Sequence, residues 1–333
     1  MIVKIGKVSE SILKRSVFSQ IKTKRKEVLV GAGVGEDCAA LKLENGEIFV
    51  ISTDPITGTA KDVGKLAVHI TANDIASSGA EPIGIMLSLL LPEWVTEREM
   101  KEIMGQVEDA CHVLNIQIMG GHTEVTKAVN QPVMTVTGVG KIDQGSLLST
   151  RGAKPGQDII LSKWIGLEGT SIIAKEKEKE LLNRFPKHMI ERAKEFDQYL
   201  SIIPEAKIGV EMKVSSMHDV TEGGIFGALW EMAEASEVGL EIDLKEIPVK
   251  QETIEICEYF LLNPYCLISS GSLLMAGDNG YEVVRELKKA GIHGAVIGKA
   301  VKGRDRVVIN DNERRYLEPP KSDELYKVMS QEG

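Results

Sequence analysis

"HITANDIASSGAEP", residues 69–82, opens like the buried stripe of a helix and then sets Asn73 beside Asp74. Ile75, three small residues and Gly79 follow. An acid on the buried side of a helix is costly unless something pairs with it. The stretch predicts a helix over 62–78, with Asp62 as a candidate N-cap and Gly79 as the C-terminal stop. It also raises the question of what Asp74 pairs with.

Outward from that helix the pattern alternates. "EIFVISTDP" (47–55) reads as a buried strand ending in Thr53 and Asp54, and "PIGIMLSLLLP" (82–92) as a second. Residues 96–114 place Ile103, Val107, Ala110, Cys111 and Leu114 at helical spacing. "IQIMGG" (116–121) reads as a third strand ending in glycines, and "PVMTVTGVG" (132–140) as a fourth. Such alternation predicts an α/β layer with helices on one face of a sheet. Upstream, residues 12–29 read as a helix leading into a solvated basic patch, "KTKRK" (22–26). "VLVGAGVGEDCAAL" (28–41) then reads as a short strand, a glycine-rich turn and acids.

Turn residues concentrate in "STRGAKPGQD" (149–158), which places a boundary between domains 1–150 and 151–333. The second half restarts with a strand, "DIILSK" (158–163), then a glycine-bearing loop and Lys- and Glu-rich helices through 173–197. "VSSM" (214–217) is a strand running into "HDVTEGG", and 224–236 is a helix. "VGLEIDL", "GAVIGKAV" and "DRVVIND" read as further strands.

A chain of 333 residues, 43% hydrophobic and 27% charged, suits two folded domains. Forty Lys and Arg face forty-nine Asp and Glu, and the balance of −9 argues against general nucleic-acid binding. The longest apolar run, "IGIMLSLLL" (83–91), is too short to span a bilayer, and the first twenty residues hold no signal-peptide core. The expectation is a cytoplasmic protein without a membrane partner. Cys38, Cys111, Cys257 and Cys266 show neither a CxxC pair nor zinc spacing, so they are expected to be reduced, structural thiols.

Four junctions share one grammar, in which carboxylates and glycines or other small residues adjoin an apolar strand or helix. They are "GVGEDCA" (33–39), "ITANDIASSGA" (70–80), "MGGHTEV" (119–125) and "MHDVTEGG" (217–224). Each has an ordinary explanation. Glu36–Asp37 could be a turn, Asp74 a salt-bridged core acid, and His122 a hydrogen-bonded loop histidine. Asp219 or Thr221 could merely cap the following helix. Four such junctions in one chain point instead to phosphate and magnesium. Glycines let backbone N–H groups approach phosphate oxygens, and Mg²⁺ takes one or two carboxylates plus substrate phosphates. There is no Walker A sequence, and "GAGVGE" lacks the last glycine of a dinucleotide fingerprint.

These motifs resemble the superfamily of aminoimidazole ribonucleotide (AIR) synthetase, thiamine-monophosphate kinase, selenophosphate synthetase and the hydrogenase-maturation factor that dehydrates a protein-bound thiocarboxamide. "ANDIASSGAEP" is the most specific match, "GVGEDCAAL" resembles the first acidic loop, and "STDPITG" (52–58) resembles the strand end of the thiamine-phosphate kinases. "MHDVTEGGIFGALWEMAEASEVGLEI" and "GRDRVVINDNERRYLEPPKSDELYKV" resemble the hydrogenase-maturation branch. The resemblance implies an N-terminal sheet-and-helix domain that forms a barrel across a homodimer, and a C-terminal α/β domain. It implies ATP and Mg²⁺ as cofactors. Asp37, Asp74 and Asp219 would be metal ligands, with Asp54 a fourth; Asn73, Gly121, His122, Thr123, Glu124 and Thr221 would be nucleotide neighbours.

The implied activity is ATP-dependent phosphoryl transfer or ligase-type activation of an oxygen on a small-molecule or protein-bound substrate, with a hydrogenase-maturation partner. A thiamine-monophosphate kinase type, and a nucleotide-binding maturation partner without catalysis, are the alternatives. Two departures stand out. No cysteine follows Cys266, where the maturation factor ends in one. In addition, "ISSGS" (268–272) lacks an acid that the maturation branch carries there.

Overall fold

A computed structural model describes residues 28–30, 33, 35–36, 38–42, 47–56, 62–143, 145, 147–319 and 322–329. The helix expected over 12–27, the basic patch at 22–26 and Asp37 lie outside the described residues. Residues 28 and 29, expected at the end of that helix, belong to a strand instead. The described residues fall into two compact units. One holds those of Arg25–Gly31 and Asp37–Leu147, the other those of Ala32–Glu36 and Leu148–Gly333.

The N-terminal unit is a six-stranded sheet, β1 (Val28–Val30), β2 (Ala39–Lys42), β3 (Glu47–Ile56), β4 (Glu81–Leu91), β5 (Gln117–Val125) and β6 (Val133–Asp143). The strand order is β1-β2-β3-β6-β4-β5. All neighbours are antiparallel except β4 and β5, which are joined by a helical crossover. Two helices, α1 (Val63–Ser77) and α2 (Glu97–Leu114), belong to this unit, and α1 lies against β3, β6 and β4. Two glycines of β6 set how close α1 can come. A Cβ at Gly138 would sit 2.5 Å from Thr71 Cγ2, and one at Gly140 would sit 2.3 Å from Ile75 Cγ2.

Asp62 stands at the N-cap of α1 but makes no side-chain cap, because its own backbone is left-handed with φ 55°. Gly79 follows the helix at φ 83°, as its role as a stop requires. Helix α2 starts on a reciprocal capping box between Thr96 and Glu99. Strand β5 does not end at its glycines; it runs on to Val125 and carries His122 within it rather than in a loop.

The C-terminal unit is built on a seven-stranded sheet. Its strands are β7 (Asp158–Ser162), β8 (Ser216–Asp219), β9 (Gly239–Asp243), β10 (Leu273–Gly277), β11 (Gly294–Val301), β12 (Arg306–Asn310) and β13 (Glu313–Tyr316). They lie in the order β13-β12-β9-β11-β7-β10-β8. The helices are α3 (Leu167–Glu176), α4 (Glu178–Leu181), α5 (Lys187–Lys194), α6 (Ile203–Glu211), α7 (Gly224–Ser236), α8 (Gln251–Tyr259), α9 (Gly280–Lys289) and α10 (Leu325–Met329). One core cluster joins Ile159 and Leu161 of β7, Leu240 and Ile242 of β9, Leu274 of β10 and the apolar side of α7. Burying such side chains is worth about 1.5–3 kcal/mol each.

All four cysteines are free thiols. Burial pushes the Cys111 thiol up to about 11 and that of Cys257 up to about 12, so both are inert at neutral pH. Among the described residues, no helix is long and apolar enough to cross a membrane.

Candidate functional site

In the N-terminal unit Asp74 has a serine as a partner. Ser52 lies on β3 two residues before Asp54, and side chains two apart on a strand share a face. Its Oγ is 2.5 Å from Asp74 Oδ2 and 3.0 Å from Asp54 Oδ2. Ser52 and Asp74 are buried, and Asp54 is half-buried. A hydroxyl has one proton to give, so it can donate to only one of the two carboxylates at a time. Two acids around one hydroxyl make an oxygen-rich corner suited to a cation. Asn73, fully buried, precedes Asp74 on α1. The hydroxyls of Ser77 and Ser78 donate back to the carbonyls of Asp74 and Ile75, at 2.8 and 2.6 Å, and hold the helix end.

Gly121, His122, Thr123 and Glu124 lie elsewhere in this sheet. They are exposed along β5, which among the described residues is an edge strand paired with β4 alone. Two strands, β6 and β4, separate β5 from the Asp54 strand, roughly 14 Å at ordinary strand spacing. His122 Nε2 is 3.5 Å from Glu124 Oε2. Gly121 has a structural reason to be glycine: a Cβ there would sit 2.1 Å from the Leu87 carbonyl oxygen across the ladder.

In the C-terminal unit Asp219 is the last residue of β8 and is buried. It does not cap α7, and neither does Thr221. The N-cap is Gly223, at φ 90°, whose N–H donates to Asp323 Oδ2 at 2.7 Å. Asp323 also accepts from the N–H groups of Ile268 (3.2 Å) and Leu325 (2.9 Å). Burial still pushes its carboxyl up to about 6, partly opposed by those hydrogen bonds. The next glycine, Gly224, is also left-handed, and a Cβ on it would meet the Tyr265 carbonyl oxygen at 2.6 Å.

Sequence reasoning missed Ser52, Asp323 and Glu168. The loop 268–272, which lacks an acid of its own, has one laid against it. Glu168 of α3 accepts the Ser270 N–H at 3.3 Å, and burial pushes its carboxyl up to about 7. Lys163 pins the same loop, donating to the carbonyl oxygens of Gly271, Tyr199 and Ser201 at 3.0, 3.0 and 2.6 Å while pairing with Glu205. Beside the Gly223 turn lies a cavity of about 540 Å³, lined by Phe226, Tyr265, Cys266, Arg315 and Tyr316 among others. The rings of Phe226 and Tyr265 stack there with centroids 5.1 Å apart.

Among the described residues, no three His, Cys, Asp or Glu side chains are grouped to hold a metal ion. Within the N-terminal unit the donor set is a carboxylate pair, the number Mg²⁺ ordinarily takes from protein when phosphates complete its shell. The residues present therefore fit that ion.

Two mixed sheets lined by helices, each with a buried acid beside small residues, define a two-domain α/β protein. The chain belongs to the AIR synthase related family: the N-terminal domain of that family matches residues 35–142 and the C-terminal domain residues 154–310. A Methanocaldococcus jannaschii protein with the provisional name hydrogenase expression/formation protein is 28% identical over 97% of both chains. Carbamoyl dehydratase HypE of Cupriavidus necator is 28% identical over 77% of this chain and 76% of its own.

Among solved structures, HypE in a HypE–HypF complex aligns with TM-score 0.76 and 20% identity, over 93% of this chain and 100% of that one. HypE in complex with ATP gives 0.71 and 18%, over 97% and 98%. AaThiL complexed with AMPPCP and TMP gives 0.69 and 20%, over 85% and 89%. At these identities the structural matches establish the fold.

Proposed function

We propose that the protein is an ATP- and magnesium-dependent enzyme that phosphorylates or activates an oxygen of a small-molecule or protein-bound substrate, in the manner of hydrogenase maturation. The observation that carries this reading is the Asp54–Ser52–Asp74 corner. Asp54 and Asp74 would hold Mg²⁺, which when bound neutralises phosphate charge; Asp37 and Asp219 are the further candidate ligands that the family resemblance implies. Such transfer needs positioning and electrostatic stabilisation more than covalent work by the protein. The cavity beside the Gly223 turn is of a size that takes a small acceptor. The ATP-bound HypE neighbour and the hydrogenase-related relatives support the same reading. The exposed edge strand β5 supports a homodimer, in which Gly121–Glu124 would complete the partner copy's nucleotide site.

The sequence "STDPITG" and the AaThiL neighbour favour a second reading, a thiamine-monophosphate kinase type. Calorimetry of ATP binding with and without Mg²⁺, followed by ATP turnover assays, tests both. Magnesium-dependent binding is expected, and Asp74→Asn should weaken it at least about tenfold while leaving the fold intact. If that variant binds as the parent does, Asp74 is structural and the site is misplaced. Phosphorylation of thiamine monophosphate would favour the second reading, and binding without turnover on any acceptor would favour a non-catalytic maturation partner.

A further inference from the structure

Among the described residues, strand β8 is an edge strand four residues long, laddered to β10 alone, and it ends in Asp219. A short edge strand is a weak mount for a residue that must hold a fixed direction. Consecutive strand side chains point to opposite faces, so whatever fixes His218 on one face also fixes Asp219 on the other.

His218 is held at both ring nitrogens. Its Nε2 is 3.0 Å from Glu231 Oε2 on α7, and its Nδ1 is 3.3 Å from Thr150 Oγ1. All three residues are buried. A carboxylate can only accept, so the Nε2 proton faces Glu231 and Nδ1 is left to accept from the threonine hydroxyl. Thr150 is itself fixed, because its carbonyl oxygen accepts from the hydroxyls of Ser216 (2.8 Å) and Ser236 (3.0 Å).

Gly35 sits on the same group. A Cβ at Gly35, which has φ +65°, would lie 3.1 Å from Thr150 Cγ2 and 3.4 Å from Glu231 Cβ. Glu36 pairs with Arg151 at 2.7 Å, with its own side chain almost wholly covered. Two of the four acid–glycine junctions thus meet at one buried His–Glu–Thr group. A buried hydrogen-bonded polar group is commonly no more stabilising than apolar groups of the same shape. What it adds here is a direction for the strand end and a seat for Gly35.

We propose that Glu231 is a positioning residue of the magnesium–nucleotide site. Acting through His218, whose ring it holds, it sets the direction of Asp219. The proposal rests on the ATP- and magnesium-dependent reading above. It predicts that Glu231 governs the Mg²⁺ requirement of nucleotide binding without touching either ligand.

The test is the Mg²⁺ concentration that gives half-maximal ATP binding, measured by calorimetry on full-length variants shown to be folded by circular dichroism. Glu231→Ala should raise that midpoint about tenfold, while Glu231→Gln, which keeps an oxygen for Nε2–H, should stay within about threefold. His218→Ala should match Glu231→Ala, and the double variant should be no worse than either, the non-additivity expected of residues that act in series. Should Glu231→Ala fail to fold, Thr150→Val removes only the second hydrogen bond to His218 and should raise the midpoint about threefold. A folded variant that loses thermal stability yet keeps the parent's midpoint overturns the proposal, as do additive effects of the two alanines. A parent with no magnesium-dependent ATP binding overturns the functional reading, and this proposal with it.

Discussion

At the residue scale, two buried acids of the C-terminal unit, Asp323 and Glu168, differ in how many backbone N–H groups meet them. Asp323 faces three N–H groups, whereas Glu168 is completely enclosed and accepts one backbone N–H, with Asp323 and Glu222 adding like charge. Glu168 therefore keeps its proton to about pH 7 in the folded protein, against 4.5 when unfolded. Between those values the native state binds more protons than the unfolded one, so stability falls as pH rises through that window and levels off above it. The shift corresponds to roughly 3 kcal/mol at most. Glu168→Gln mimics the protonated form. Its melting temperature should equal the parent's near pH 4.5 and exceed it by about 5 °C at pH 8. A difference that does not change with pH would show that Glu168 is already ionised in the fold. How far such residues can be read beforehand depends on distance in sequence. Ser52 was legible in principle, since it precedes Asp54 by two on a strand. Glu168 meets Ser270 across more than a hundred residues, and no local pattern signals that.

At the element scale, the helix carrying Asp74 was legible because its signal is local. Small and apolar residues recur at helical spacing, and Gly79 stops it. What could not be read was why β6 is "TGVG" where it passes under that helix. The reason is tertiary: Gly138 and Gly140 admit Thr71 and Ile75. Gly140→Val should push α1 off the sheet and destabilise the N-terminal unit by about 1–3 kcal/mol, read as a lowered urea midpoint. An unchanged midpoint would mean that α1 can shift without cost. Thr96→Ala, which opens the capping box of α2, should cost only about 1 kcal/mol. Strand β10 went unread for a similar reason. "LLMAG" lies buried between β7 and β8, so its near-continuous apolar run lacks the alternation that marks a half-exposed strand.

At the scale of the whole molecule, the N-terminal sheet is finished on one face and open on the other. Along β4, Ile85, Leu87, Leu89 and Leu91 are buried, whereas Met86 is 50% and Ser88 largely exposed. On the neighbouring edge strand Met119, which lies against Gly84, is 47% exposed. An apolar face beside an unpaired strand edge invites association, and native proteins cover such features. The homodimer proposed above would cover this one, and it would also bring a second copy's Gly121–Glu124 out of their isolation from Asp54. Sedimentation velocity should therefore find a dimer at about 10 µM, an ordinary range for such an interface. Replacing Met86 and Met119 together by Asp should give a folded monomer, because charges facing one another across the interface would lose their water. Loss of the dimer should also weaken magnesium-dependent ATP binding if β5 serves the partner's site. A monomeric double variant that binds ATP as tightly as the parent would leave the nucleotide site complete within one chain and remove β5 from it.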